Sequence, residues 1–506
     1  MKYPEPRAWK LPSKVAFASL RRELQRSFGM RHVPGKVRKI EVLDNFDWSL
    51  WHNNVSFVKT GPQTYLMTVD NREIEVVALT SPPRFWSDFP PGECQDYLKK
   101  YSPLRALQSI TTIRFTVHQY ELLNDDEKIV VRLRVIQHYS AESHQSRKII
   151  GIYLQAIPLL GYEDEFQRVV EAVVAEQLEA TALPNVAQLC ICQGLEVKPK
   201  PGKSFGIHAA MMAEDAARHM GGALLSAALE QRAGLLADTD TEFLHQYRVN
   251  LRKLRSLLSL LKKALNPAEG RHLQNLLSQV FSPTNDLRDL DVFLLQYPQY
   301  QQVLPNEFKA GLNTFYQHLA NKRQQRQKQV VRALRSKTYC NTIENIEKRI
   351  SQAADYSGEL AKQPIGELAR KRILSRYRKI CQIGARIQSS TPDTEIHELR
   401  KECKKLRYLM EFFAELFPRQ RMGKLIKQLK GLQDVLGNFN DFSVQKTFLQ
   451  TMAKQEQSKP VLAAVSGLIA IISQQQAAVR QHIQAAFVAF SDHKTTRMLK
   501  SLTVQA

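Results

Sequence analysis

The chain has 506 residues and a formal net charge of +23, with 43% hydrophobic and 24% charged residues. Its length exceeds that of one ordinary hydrophobic core, so we expect two or three domains. The hydrophobic fraction excludes general disorder, and the excess of basic residues predicts an anionic partner.

Residues 1–200 show the pattern of an α+β domain with an antiparallel sheet. Short alternating or β-branched runs between Gly, Pro, Asn and Asp predict strands, and amphipathic runs predict two helices. The predicted strands are 36–41, 55–60, 65–69, 73–79, 113–119 and 129–136, and the predicted helices are 15–28 and 166–180. The segment 195–206, rich in Lys, Pro and Gly, marks a boundary between domains at 1–200 and 201–506.

Residues 201–506 are rich in Leu, Ala, Gln, Lys and Arg, which predicts an all-helical domain. The predicted helices are 207–236, 241–265, 271–281, 287–296, 307–336, 365–388, 394–417, 422–436 and 461–490. Residues 1–200 hold 26 basic and 23 acidic side chains, which leaves 46 basic and 26 acidic ones here. The excess positive charge therefore belongs to the helical domain.

Two short signatures, 152 residues apart, each place a histidine and a file of cations on one side of a helix. The first consists of His245, Arg248, Arg252 and Arg255, and the second of His397, Arg400, Lys404 and Arg407. Steps of three and four residues keep each set within about 80° of arc. The repeat predicts a duplicated unit with halves at about 207–355 and 356–506. Packing about a pseudo-twofold axis would bring both cationic faces onto one surface.

Each feature of the signatures also has a structural interpretation. A cationic face can be the solvated side of an amphipathic helix, but the first file contains no acidic residue, which favours an external polyanion. Each histidine could contact phosphate, form a buried hydrogen bond or bind a metal. We predict no metal, because no Cys or second His follows at helical spacing. Asp289 and Asp441, also 152 residues apart, favour helix caps or ion-pair partners over general acid–base groups.

Further basic residues extend the predicted surface or belong to solvated helix faces, and the sequence leaves both alternatives open. They are Lys253, Lys262, Lys322, Arg326, Arg372, Arg376 and Lys405.

The two signatures resemble the two halves of a CHAD domain, the conserved-histidine α-helical domain. The first is followed by the string LRDLDV at 287–292, and the second by LQDVLG at 432–437 and by Asn440-Asp441. The resemblance spans roughly 205–500. It implies two four-helix bundles and a basic surface for inorganic polyphosphate, formed by the eight signature residues.

Residues 1–200 resemble, more weakly, the CYTH or triphosphate-tunnel fold, through strings at 43–50, 72–75, 112–114 and 132–134. In that fold an N-terminal ExExK string supplies two carboxylates for a divalent metal. If 10–12 aligns with the end of that string, Pro6 and Ala8 stand in place of the glutamates. A metal would lose its main ligands, so the resemblance implies a degenerate tunnel barrel without catalytic activity.

The function predicted from these observations is non-catalytic binding of inorganic polyphosphate, with no cofactor and no membrane partner. The alternatives are a metal-dependent inorganic triphosphatase of the CYTH type and a general binder of nucleic acids or other polyanions. Nucleic acid is expected to bind only non-specifically, because no aromatic residues interleave with the cations. Six cysteines without a CxxC pair, and no apolar leader, predict a cytoplasmic protein. Association with polyphosphate granules is left open.

Overall fold

A computed structural model describes residues 5–140, 148–199, 204–352, 358–388 and 390–501. The chain divides into two units, Met1–Pro201 and Gly202–Ala506. Parts of two predicted boundaries, at 200–203 and at 353–357, lie outside the described residues.

The N-terminal unit is built on an antiparallel sheet of ten strands in the described residues. The strands are β1 Arg7–Leu11, β2 Gly29–Val33, β3 Val37–Asn45, β4 Val55–Lys59, β5 Thr64–Val69, β6 Arg72–Ala78, β7 Leu107–Leu123, β8 Ile129–Tyr139, β9 Ile149–Pro158 and β10 Glu179–Ala180. Their order is β10-β1-β9-β8-β7-β3-β4-β5-β6, with β2 paired to β7. All six predicted strands are present as β3 to β8, and the antiparallel α+β class is confirmed.

Helices cover both faces of this sheet. They are α1 Lys14–Leu24, α2 Glu93–Tyr101, α3 Glu163–Ala175 and α4 Val186–Cys192, with 3-10 turns at Trp51–Asn53 and Trp86–Asp88. Strand alternation sends Leu122 into a core shared with α1 and α3, and Ile113 into a second core with Leu189 of α4. Since the two strand residues are an odd number of positions apart, these cores lie on opposite faces.

The second unit is helical, as predicted. Its helices are α5 Ala213–Glu230, α6 Arg232–Leu236, α7 Thr241–Leu260, α8 Pro267–Phe281, α9 Asn285–Leu295, α10 Tyr297–Val303, α11 Lys309–Arg335, α12 Lys337–Ser351, α13 Ile365–Gly384, α14 Asp393–Phe412, α15 Arg419–Ala453, α16 Lys459–Gln481, α17 Ile483–Phe490 and α18 His493–Ser501. The predicted helix 422–436 proves much longer, since α15 continues to Ala453.

Helix boundaries repeat at the spacing of the two signatures. α13 begins 152 residues after α5, and α14 begins and ends 152 residues after α7. α5, α7, α8 and α12 pack together, α13, α14, α15 and α17 pack together, and α7 contacts α14. The repeat agrees with an internal duplication, and the arrangement as paired four-helix bundles stays a prediction.

One helical stretch of the described residues, Lys459–Phe490, is long and apolar enough to cross a membrane. A core helix of a soluble protein meets the same criterion. Val461, Val465, Leu468 and Ile472 of this stretch are buried against α11 and α15. Its apolar side therefore contributes to the core of the helical unit.

Candidate functional site

Two helices, α7 and α14, carry the signatures, and their apolar sides fix how they pack. Leu251, Leu254 and Leu258 of α7 are buried, as are Leu406 and Met410 of α14. Asp240 caps α7, because its Oδ1 accepts hydrogen bonds from the backbone N–H groups of the first turn. Because these apolar sides are buried, the charged sides of the two helices face shared cavities.

The first shared cavity, which we call the α7–α14 cleft, has a volume of about 510 Å³. His245 and Lys253 of α7 line it together with three cations of α14, namely Arg400, Lys404 and Arg407. Glu411 and Asp434 are the acidic residues at its wall. Cations from both halves of the duplicated unit thus line one cavity and outnumber its acids.

The second cavity, which we call the two-histidine cavity, has a volume of about 740 Å³. Both signature histidines line it, together with Arg252 and Arg288 from the first half and with Asn440, Asp289 and Asp441. His245 borders both cavities. The duplication therefore places the two histidines around one space rather than on opposite sides of the unit.

His397 is held in one orientation by its neighbour on α15. Its Nδ1 lies 2.8 Å from Oδ1 of Asn440. An amide oxygen only accepts, so Nδ1 carries the proton and donates. Nε2 is then the ring nitrogen available to a ligand, and it can donate to a phosphoryl oxygen when the imidazole is protonated.

The cations of the two halves repel one another. Burial, together with the positive charges of Arg400 and Arg252, lowers the pKa of Lys404 to about 8, against the opposing effect of Asp441. Burial and Arg252 also lower the pKa of Arg400, whose Nη2 lies 3.5 Å from Oδ1 of Asp441. Arg252 of α7 therefore acts on both cations of α14, and the local carboxylate offsets this charge only in part.

Arg248 does not share this environment, and its predicted phosphate contact is corrected. Its side chain is 7% exposed and lines neither cavity. Nη1 donates to Oγ1 of Thr284 at 2.6 Å and to Oδ1 of Asn285 at 2.9 Å, and the guanidinium lies 4.1 Å from the ring centre of Phe281. Arg248 thus fastens α7 to the junction between α8 and α9.

The outermost arginines of the two files also differ. Arg255 lines neither cavity, and its guanidinium lies 5.7 Å from the ring centre of Phe281. Arg407 lines the α7–α14 cleft, where its Nε donates to Oε1 of Glu411 at 2.7 Å. A ligand at Arg407 therefore competes with an internal carboxylate.

The predicted roles of Asp289 and Asp441 are corrected in one respect. Both lie inside helices, at the fifth residue of α9 and in the middle of α15, so neither is a cap. Asp441 forms the predicted kind of ion pair with Arg400, and the charge of Asp289 partly opposes the lowering of the pKa of Arg248 by burial. Both acids stabilise arginines of the signatures.

A family model for the CHAD domain matches residues 220–450. Residues 220–450 form a CHAD domain. Two solved structures are similar to the chain. The crystal structure of the CHAD domain from the plant Ricinus communis is 20% identical, with a TM-score of 0.43 over 59% of this chain and 94% of that one. PptA from Streptomyces chartreusis is 15% identical, with a TM-score of 0.40 over 55% of this chain and 99% of that one. None of the curated protein sequences matches the chain.

Two residues of the CHAD domain join the site without having been predicted. Arg288 lines the two-histidine cavity, and burial lowers its pKa. Tyr408 lines the α7–α14 cleft and shares a hydrogen bond with Arg252, which connects α14 to α7. Arg288 occupies the position equivalent to Asn440 in the 152-residue repeat, and that register is the signal that could have found it.

The predicted extension of the surface is supported at Lys253, which lines the α7–α14 cleft. Arg376 and Lys405 instead contact the buried carboxylate of Glu402, which Lys379 also contacts. These cations offset a charge inside the CHAD domain, so the geometry does not support an extension there.

The remaining candidates for the extension line neither cavity. Nζ of Lys322 lies 3.6 Å from Sδ of Met452, and Nη2 of Arg326 lies 3.1 Å from Oδ2 of Asp286. Lys262 is exposed just after the end of α7, and Arg372 is half-buried on α13. Geometry places these cations apart from the two cavities.

The lowered pKa of Lys404 predicts a pH dependence of anion binding. A bound polyanion raises this pKa, so binding takes up a proton, and affinity should fall as pH rises from about 8 to 9.5. Titrations of polyphosphate across this range measure the effect. Lys404→Arg keeps its charge throughout, so this variant should lose most of the pH dependence. An equal dependence in both proteins would contradict the assignment to Lys404.

The N-terminal unit was expected to lack the metal-binding carboxylates of a catalytic tunnel. Ala8 lies on β1 beside Gln155 of β9, which pairs with Arg134 of β8. Glu121 of β7 accepts a 2.7 Å hydrogen bond from Nε of Arg31. Among the described residues, no group of three or more His, Cys, Asp or Glu side chains is arranged to hold a metal ion.

Proposed function

We propose that the CHAD domain binds inorganic polyphosphate along the α7–α14 cleft and the two-histidine cavity, which share His245 in their walls, without altering it chemically. The observation that carries the proposal is the crowding of Arg252, Arg400 and Lys404: burial lowers the pKa of Arg400 and of Lys404, and the charge of Arg252 adds to both effects. A phosphoryl chain presents regularly spaced negative charges, so one polymer can neutralise several of these cations at once. Release of its condensed counterions adds to the affinity.

Nucleic acid is the competing polyanion, and the aromatic residues of the cleft bear on this alternative. Phe205, Tyr408 and Phe412 line the cleft, although no aromatic was expected there. Their rings pack against one another, with Phe412 6.2 Å from Phe205 and 6.0 Å from Tyr408. Tyr408 stacks on Phe412, and Phe205 meets Phe412 edge to face. Rings that pack on each other in this way offer a base little open face, so we favour a ligand without bases.

Competition at physiological salt tests this proposal. Long polyphosphate should displace a labelled polyphosphate far better than triphosphate or single-stranded DNA does, because a long chain spans more cations. With four cations neutralised, affinity should fall about 50-fold between 50 and 200 mM salt. Fluorescence anisotropy measures both effects. Equal displacement by DNA would favour the general polyanion binder instead.

We also propose that the N-terminal unit does not hydrolyse triphosphate. One support is that Ala8 lies beside Gln155 and Arg134 on neighbouring strands, so none of these three positions holds a carboxylate. The other is that the carboxylate of Glu121 already accepts a hydrogen bond from Arg31. Phosphate release from triphosphate with Mg²⁺ or Mn²⁺ should therefore match a protein-free control. Turnover that depends on protein and metal would contradict this proposal but leave the CHAD-domain proposal standing.

A cytoplasmic location is part of the same proposal. All six cysteines are free, including the exposed Cys192. Free thiols suit a reducing compartment, where inorganic polyphosphate is also accessible to a soluble domain. Localisation of a fluorescent fusion of the full chain tests this location.

A further inference from the structure

A further cavity, separate from the two in the helical unit, lies in the N-terminal unit between one face of the sheet and α4. Its volume is about 330 Å³. Strands contribute Ile40, Phe115, Val117 and Ile136, and α4 contributes Val186 and Leu189. Among the described residues, no Lys, Arg, Asp or Glu lines it, so phosphates and other ions find no charged partner there.

Four polar side chains, Thr68, Asn71, Asn185 and His138, also line it, and the most deeply buried of them is His138 of β8. It is 6% exposed, and its buried Nδ1 has no hydrogen-bond partner among the described residues. The ring lies 6.0 Å from that of Phe115 and 5.7 Å from that of Tyr153. Burial lowers the pKa of His138 to about 4, so the imidazole is neutral at pH 7.

An unpaired buried nitrogen is unfavourable, and most such atoms in folded proteins have a partner. Here the atom belongs to a residue that lines a cavity. A ligand with one hydrogen-bonding group on an apolar body would supply the missing partner and fill the space. Cavities that bind small molecules usually measure about 300–1,000 Å³, so this one fits a one- or two-ring compound.

We propose that the N-terminal unit binds an uncharged, mainly apolar small molecule in this cavity, and that His138 forms one hydrogen bond with it. The proposal does not depend on polyphosphate binding. It gives the N-terminal unit a ligand of a different chemical class from the one proposed for the helical unit.

Two matched probes test the proposal with the full chain, namely 1-naphthol and naphthalene, which differ by one hydroxyl group. Fluorescence titration should give saturable binding of both, with 1-naphthol about 5-fold tighter because of its hydrogen bond. His138→Phe keeps an aromatic ring and should remove this preference while retaining naphthalene binding. Persistence of the 5-fold preference in His138→Phe would overturn the assigned hydrogen bond.

Blocking variants test the position of the site. Val117→Phe, and independently Val186→Phe, place a ring in the cavity and should abolish binding of both probes. Val174→Phe makes the same substitution at a position on α3 that is 61% exposed, and it should bind like the parent. Circular dichroism selects the variants that fold. Binding without saturation in the parent, or undiminished binding in a folded blocking variant, would overturn the proposal.

Discussion

Replacing Arg252, Arg400 and Lys404 together by alanine is expected to weaken polyphosphate binding on the order of 100-fold or more. Each side chain can form a charge-assisted hydrogen bond with a phosphoryl oxygen, worth roughly 1.5–3 kcal/mol. The losses are not additive, but even one such bond and part of a second account for that factor. Loss of three cations should also reduce the slope of log affinity against log salt by about 2.

The matched control removes the same net charge elsewhere in the helical unit. Arg335, Lys337 and Lys348 are exposed on α11 and α12 and line neither cavity. Their triple alanine variant should bind polyphosphate within about 3-fold of the parent, since only the long-range field changes. Equal weakening by both triple variants would show that affinity follows net charge, and the assigned cleft would be wrong.

The triple alanine variant of Arg252, Arg400 and Lys404, which we call the cleft variant, should remain as stable as the parent or become more stable. Burial and the neighbouring like charges lower the pKa of Lys404, which means that the folded state is penalised for holding this lysine protonated. Removal of Arg252, Arg400 and Lys404 relieves the repulsion, so binding is lost without loss of structure. Thermal unfolding by circular dichroism checks this result, and a marked fall in Tm would point to an unrecognised structural role.

Much of the architecture could be predicted from local patterns. Strand alternation in Val131, Leu133 and Val135 places these residues in one core, and it predicted β8 directly. β2 was missed because its burial is weak along its whole length, whereas β9 was missed although alternate residues from Ile152 onward are buried. The β1 strand is short and follows proline-containing sequence, so its pairing with β9 depends on distant residues that no local pattern contains.

The correspondence of the two signature helices could be predicted from the sequence, but not the surroundings of their individual cations. A fixed spacing of 152 residues correctly predicted that α7 and α14 correspond and that their histidines share one space. The same spacing made Arg248 and Arg400 look equivalent. They differ because Ser282–Thr284 forms a 3-10 turn between α8 and α9, whereas α15 runs unbroken through the corresponding region.

That turn explains the interior position of Arg248. It carries Thr284 and precedes Asn285, which both accept hydrogen bonds from the guanidinium. The equivalent positions in the second half are Leu436 and Gly437, which offer no side-chain acceptor. Arg400 therefore keeps its guanidinium near the cavities, where a ligand can reach it. A predicted repeat gives the positions of equivalent residues, but their neighbours decide their roles.

Arg248→Ala is accordingly expected to destabilise the helical unit by about 2–4 kcal/mol, whereas Arg400→Ala should change its stability by less than about 0.5 kcal/mol. Truncation of Arg248 leaves a void against Phe281 and removes two hydrogen bonds that hold α7 to the start of α9. Arg400 is paired only at 3.5 Å with a largely exposed carboxylate, so its loss removes little. Urea unfolding of the two variants measures the difference.

Arg248→Met separates the two contributions to that loss. Methionine fills most of the void but restores no hydrogen bond. It also removes a charge whose burial is unfavourable, as the lowering of the pKa of Arg248 to about 10 indicates. We therefore expect Arg248→Met to recover at least half of the stability lost in Arg248→Ala, and to bind polyphosphate within about 3-fold of the parent. A folded Arg248→Met variant that binds as weakly as the cleft variant would contradict the structural role, because only direct contact with the ligand would then explain the loss.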